Sequence, residues 1–83
     1  MTEILWTSYQ EAHIFVRHGV SDQDFMEAWG AREDFGGGDD PDYGPYTESV
    51  GCTLDDRVIE MIWRWQDDDV WPITAYFVSI EER

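Results

Sequence analysis

The chain has 83 residues and a formal net charge of −14, because 19 Asp and Glu residues face five basic residues, all of them arginine. This length fits one domain with one small core, and an aromatic share of 16% supplies large side chains for it. The charge disfavours direct binding to nucleic acid, since phosphate groups attract cations and repel carboxylates. It favours a partner protein with a basic surface, although acidity also serves solubility alone.

The cysteine count and the first residues indicate a compartment. A single cysteine, Cys52, excludes an internal disulfide and favours a reducing environment. We expect it to be a small core side chain rather than a nucleophile. The first residues contain neither a basic stretch nor a long apolar run, so we expect no signal peptide, no membrane span and a cytoplasmic protein.

The beginning of the chain predicts a short strand followed by a helix. Residues 3–7 place apolar side chains on both faces of a strand, and residues 9–17 follow with helical spacing of apolar residues. Gly19 is expected to end this helix in a left-handed conformation. The predicted buried stripe consists of Tyr9, Ala12, Phe15 and Val16.

A second helix and a loop follow. Ser21 and Asp24 have the spacing of a capping box, which predicts a helix from Asp22 to about Trp29. Residues 30–45 then combine glycine, proline and aspartate, the strongest turn formers, and are typical of a flexible loop. The acids of this loop do not have the spacing of an EF-hand, so we expect no metal site and no cofactor.

The C-terminal half predicts three strands. Residues 46–54, 57–66 and 70–78 alternate or are rich in β-branched and aromatic residues, and aspartates separate them. Pro72 cannot donate to a ladder, so its strand should lie at an edge or carry a bulge. The chain is therefore expected to be a single α+β domain, in which a three-stranded antiparallel meander packs its helices on one face.

The tryptophans of these strands allow two interpretations. Trp63, Trp65 and Trp71 are expected to form the core under the helices. Exposed members of this row would instead anchor a protein interface or stack on single-stranded RNA. The surrounding acids disfavour RNA.

Several short strings resemble the BrnT family of type II toxins, which share the RelE-like fold. Residues 17–21, Arg-His-Gly-Val-Ser, are similar to the Lys-His-Gly-Val-Ser segment of that family. Residues 50–53, 56–60 and 73–75 look like parts of its sheet strands. The resemblance covers nearly the whole chain.

The resemblance implies a ribonuclease that arrests translation and is neutralised by an antitoxin. Cleavage of RNA needs a base, an acid and cations that hold the phosphate, and the family has Arg, Lys and His on its concave sheet surface. The corresponding catalytic candidates here are His18, Arg57 and Arg64, with His13 as a further histidine. Two positions depart from the family pattern, because Tyr76 follows the Ile-Thr-Ala string where arginine is usual, and Trp71 stands where a basic residue is common.

Two functions therefore stay open. The first is a toxin-fold protein that affects host growth or translation, with or without ribonuclease activity. The second is a non-catalytic acidic binding protein, of the kind that phages or mobile elements encode, which occupies a basic or nucleic-acid-binding surface of a host protein. A neighbouring antitoxin gene would favour the first function, and a gene that stands alone in a mobile element would favour the second.

The binding hypothesis names a rim of acids and two aromatic residues. Residues 36–45 of the loop and the turn 67–69 would form the negative rim of a partner site. Charge reversal at Asp39, Asp40 and Asp42 should then weaken binding and flatten its salt dependence. Whether the chain also forms a homodimer stays open. The candidate partner-binding residues are Asp39, Asp40, Asp42, Asp67, Asp68, Asp69, Trp71 and Tyr76.

Overall fold

The protein is an α+β fold in which two short helices precede a four-stranded antiparallel sheet. The computed structural model describes residues 2–79. Helix α1 begins as an α-helix over Ser8–Gln10 and continues with π-helical winding over Glu11–Val16, and α2 spans Asp22–Gly30. The strands are β1 Glu33–Asp40, β2 Gly44–Cys52, β3 Val58–Gln66 and β4 Asp69–Phe77, and they lie side by side in that order.

The structure corrects the prediction of a loop over residues 30–45. Most of that segment is β1, which makes the sheet four-stranded instead of three-stranded. Its glycines admit side chains from β2. A Cβ atom on Gly36 would lie 2.5 Å from Glu48 Oε2, and one on Gly38 would lie 2.8 Å from Tyr46 Oη. The glycines thus leave room for cross-strand neighbours, a role that composition alone does not separate from turn formation.

The predicted N-terminal strand is reduced to one bridge. Ile4 pairs in parallel with Val70 of β4. The Leu5 amide donates to the Val70 carbonyl at 2.9 Å, and the Val70 amide donates to the Glu3 carbonyl at 2.8 Å. The N-terminal segment therefore lies along the outer edge of β4 without forming a full strand.

The buried side of α1 differs from the predicted stripe. Gln10 and Ile14 are fully buried, whereas Phe15 and Val16 are 43% and 74% exposed. The π-helical winding closes its hydrogen bonds one residue later than an α-helix, so each residue turns through a smaller angle than the α-helical spacing assumed from the sequence. The Gln10 amide group donates to the Pro72 carbonyl at 3.0 Å, so the first turn of α1 is attached to the edge of β4.

Several local predictions are confirmed. Gly19 has φ +78°, and the Ser21 hydroxyl accepts from the Asp24 amide at 3.1 Å in the expected capping box. Pro72 lies on a terminal strand, and the β3–β4 register shifts beside it. Both features are typical of a proline in a sheet, because proline has no N–H to donate to a neighbouring strand.

The core lies between the helices and one face of the sheet. Phe25 and Ala28 of α2 and Ile14 of α1 pack against alternate residues of β3, namely Ile59, Met61 and Trp63. Helix α2 contacts β2 and β3, and α1 contacts β4. Within residues 2–79, no helix has the length and apolar character needed to cross a bilayer.

Candidate functional site on the open sheet face

Among residues 2–79, no helix covers the face of the sheet that points away from the core. Because Ile59, Met61 and Trp63 enter the core, the residues between them point to the opposite side. The cross-strand register places neighbours from β2 and β4 beside them. We call this surface the open face, and its half-buried residues include Glu48, Val50, Glu60, Ile62, Arg64, Trp71, Thr74 and Tyr76.

Two glutamates and a tyrosine make part of the open face negative. Glu60 and Tyr76 are cross-strand partners, and the Tyr76 hydroxyl donates to Glu60 Oε1 at 2.9 Å. This hydrogen bond raises the pKa of Tyr76, with further contributions from burial and from the negative charges of Glu60 and Glu48. Three adjacent strands therefore contribute to one acidic patch, in which Tyr76 stays neutral and able to donate.

Arg64 lies at one end of the open face and is held by its own strand. Its Nη2 donates to Gln66 Oε1 at 2.9 Å and its Nη1 donates to the Trp65 carbonyl at 3.4 Å. The guanidinium carbon lies 5.8 Å from the ring centroid of Trp71, which is its cross-strand partner. A weak cation–π contact at this distance adds to the two hydrogen bonds in holding the guanidinium.

A pair of tyrosines lies at the same end of the open face as Arg64 and Trp71. The hydroxyl oxygens of Tyr9 in α1 and Tyr43 in the β1–β2 turn lie 2.9 Å apart. The Tyr9 ring stacks on His13 with centroids 4.1 Å apart and lies 5.6 Å from Trp71. Trp71 is thus packed into the structure on one side and borders the open face on the other.

The tyrosine pair predicts a loss of stability in alkali. Burial and the Tyr43 hydroxyl raise the pKa of Tyr9 from 10.0 to about 12. A raised pKa in the folded state contributes stability that is complete below the unfolded value and is lost as the pH rises through the folded value. The free energy of unfolding, measured in urea, should therefore fall as the pH rises from 10 to about 12. Tyr43→Phe should flatten this dependence, and an unchanged slope would contradict the assignment.

The three catalytic candidates do not converge. Arg57 pairs with Asp24 at 2.8 Å and with Asp55 at 2.9 Å, and these carboxylates raise its pKa further. Arg64 lies seven residues after Arg57 in the chain, and seven residues of extended strand span roughly 23 Å. His18 lies at the end of α1, with its ring 6.1 Å from that of Tyr76. An acid and a base that act on one phosphate need to lie much closer together.

The predicted acidic rim falls at one end of the sheet. The β1–β2 and β3–β4 turns share that end because the strands are antiparallel. Two of the acids have structural contacts, since Asp40 Oδ1 accepts from the Asp42 amide at 2.7 Å and Asp69 Oδ1 accepts from the Glu3 amide at 3.0 Å. The exposed members of the rim are Asp39, Asp42, Asp67 and Asp68.

Sequence reasoning missed Glu48 and Glu60. Each is a charged residue within a strand, which was the available signal, but the cross-strand register was needed to bring both near Tyr76. Cys52 is exposed, contrary to the expected core position. Of the predicted partner-binding residues, Trp71 and Tyr76 lie on the open face.

The fold and this surface define a small α+β protein with helices on one side of an antiparallel sheet and an acidic face on the other. Comparison with protein-family models, with curated proteins and with solved structures returned no significant match. Among the described residues, no three His, Cys, Asp or Glu side chains lie together as metal ligands would.

Proposed function

We propose that this chain is a non-catalytic binding protein, whose open face docks on a basic surface of a partner protein. The partner is an antitoxin or a host protein. The observation that carries this proposal is the hydrogen bond between Tyr76 and Glu60 on the open face, with Glu48 nearby. Such a face attracts cationic side chains and offers both a carboxylate and a phenol to them.

The residues that replace the basic positions of the BrnT pattern support a binding role. Trp71 and Tyr76 both lie on the open face, and neither carries a positive charge. Glu60 stands directly across from Tyr76. A phosphate at this position would meet carboxylates, which raise the free energy of a phosphoryl transition state instead of lowering it.

Aromatic side chains supply the apolar part of the same surface. Trp71 and Tyr76 are both half-buried beside Ile62 and Thr74. Tryptophan and tyrosine are enriched among residues that carry binding energy at protein interfaces. The open face therefore combines an apolar strip with charges that select a basic partner.

A toxin-fold ribonuclease is the alternative function. The order of two helices followed by an antiparallel sheet agrees with what the BrnT resemblance implies. Arg64 on the open face, with His18 near Tyr76, would be the residues that act on RNA. In that case, replacement of Arg64 would abolish cleavage without changing the fold.

The binding proposal predicts a surface-specific loss of partner capture. The double variant Glu48→Gln, Glu60→Gln removes two negative charges from the open face. We expect its affinity for the captured partner to fall about tenfold or more, because two charge-assisted contacts are lost. The measurement is capture of proteins from a lysate of the cells that carry the gene, followed by titration of the captured partner.

The matched control removes the same charge elsewhere. Asp22→Asn with Asp56→Asn changes two exposed acids at the start of α2 and in the β2–β3 turn. The affinity of this control for the partner should stay within a factor of about two of the wild-type value, since the two substitutions alter only the long-range attraction. An equal loss of affinity in both double variants would show that only net charge matters. The open face would then be rejected as the docking surface.

A further inference from the structure

The two edges of the sheet are not equivalent. The outer edge of β4 is covered, because Val70 pairs with Glu3 and Leu5, and the Pro72 carbonyl accepts from Gln10. Strand β1 is the other terminal strand, and its residues are exposed from Glu33 to Asp39. Within residues 2–79, no segment pairs with the outer edge of β1.

The middle of β1 lacks the usual protection of an edge strand. Proteins protect such edges with charged side chains, prolines and bulges. The register shift beside Phe35 and the acids at both ends of β1 provide some protection, but three glycines, Gly36 to Gly38, leave its centre without side chains. The backbone N–H and C=O groups of the outer edge are therefore accessible to a further strand.

The negative charge around the outer edge of β1 limits which segments can pair with it. A second copy of this chain also carries a net charge of −14 and would be repelled. The Asp34 carboxylate already accepts a hydrogen bond from the Ser49 hydroxyl at 2.6 Å and forms an ion pair with Arg32 at 3.2 Å. Three other carboxylates border the edge. Glu33 and Asp39 lie near its two ends, and the Glu48 carboxylate lies over Gly36.

We propose that β1 accepts an extended basic segment of the partner as a fifth strand. The segment carries Lys or Arg near both ends, opposite Glu33 and Asp39, and its central residues lie along the glycines, which offer backbone groups without side chains of their own. Main-chain hydrogen bonds supply affinity and the side chains supply specificity, as in other cases of strand addition. This inference rests on the proposed basic partner and names how that partner is bound.

Synthetic peptides test the inference without knowledge of the partner. The probe is a capped peptide, Lys-Lys-Val-Tyr-Val-Lys-Lys, and its control is Lys-Lys-Pro-Tyr-Pro-Lys-Lys, which has the same charge but lacks two central backbone donors. We expect the control to bind about tenfold more weakly. The first peptide should also slow hydrogen exchange of amides within Glu33–Asp40. Equal binding of both peptides, or protection outside β1, would overturn the proposal.

A pair of variants tests the position. Asp39→Lys places a cation on β1 itself, whereas Asp42→Lys makes the same charge change in the adjoining turn. Binding of the first peptide should fall about tenfold in Asp39→Lys and much less in Asp42→Lys. Equal losses would show attraction by net charge alone and would overturn strand addition.

The strand inference and the proposed function fail separately. Glu60→Gln lies on the open face, away from β1, and should weaken capture of the natural partner while leaving peptide binding unchanged. If the peptides fail to pair while Glu60→Gln still loses the partner, strand addition is wrong and the docking face stands. If peptides pair but Glu60→Gln keeps the partner, the open face is wrong as the docking surface.

Discussion

Replacement of Gly51 by alanine is expected to destabilise the fold by about 3 kcal/mol, at the upper end of the usual cost of overpacking a core. Gly51 of β2 is buried beneath α2. A Cβ atom at this position would lie 2.8 Å from the carbonyl carbon of Ala28 and would also clash with its carbonyl oxygen. Both atoms belong to the helix backbone, so the whole of α2 would have to move away from the sheet.

Gly30→Ala is the matched control for this prediction. Gly30 ends α2, and a Cβ atom there would meet nothing within 4 Å. Alanine should leave stability unchanged or raise it by up to about 1 kcal/mol, because glycine is a poor helix residue. Urea unfolding of both variants measures the difference. A Gly51→Ala protein as stable as the wild type would mean that α2 does not pack this closely on β2.

Replacement of Trp63 by alanine is expected to destabilise the protein by about 4 kcal/mol. Trp63 is 1% exposed and is the largest fully buried side chain among the described residues. Its Nε1 donates to the Ser49 hydroxyl at 2.9 Å, and the Trp29 ring meets it edge-on with centroids 5.6 Å apart. Alanine would leave a large cavity and remove the donor to Ser49.

Trp65→Ala provides the comparison on the same strand and the same face. Trp65 is 49% exposed and packs edge-on against Trp63 at 5.1 Å. Its loss should cost less than about 2 kcal/mol, since much of its surface is already in water. Thermal and urea unfolding should therefore separate the two variants clearly. Similar losses would show that the core extends over Trp65.

Much of the fold follows from local sequence signals. The capping box at Ser21, the left-handed Gly19 and the edge position of Pro72 were all predictable, because each depends on residues close in the chain. The strands from β2 to β4 were predictable for the same reason. Their alternation of apolar residues is strong enough to fix their approximate bounds.

Strand β1 and the buried side of α1 could not be predicted in the same way. The glycines of β1 form a strand because Glu48 and Tyr46 lie across them, which is a tertiary contact. In α1, the winding changes after Gln10, so the spacing that pointed to Phe15 and Val16 no longer applies. In both elements, packing outweighed local propensity.

The candidate site was predictable only in part. Trp71 and Tyr76 were selected from the sequence, and both lie on the open face. Glu48 and Glu60 were not selected, because their proximity to Tyr76 depends on the pairing of three strands. The predicted catalytic residues lie on different parts of the molecule, since Arg57 belongs to an ion-pair network with α2.

The central claim is that acidic and aromatic residues make this face a binding surface instead of a ribonuclease site. The most direct measurement is a cell-free translation reaction with the purified protein, followed by mapping of messenger RNA ends. We predict intact RNA for the wild type and for Arg64→Ala alike. New ends at defined positions with the wild type, lost in Arg64→Ala, would contradict the claim and establish RNA cleavage.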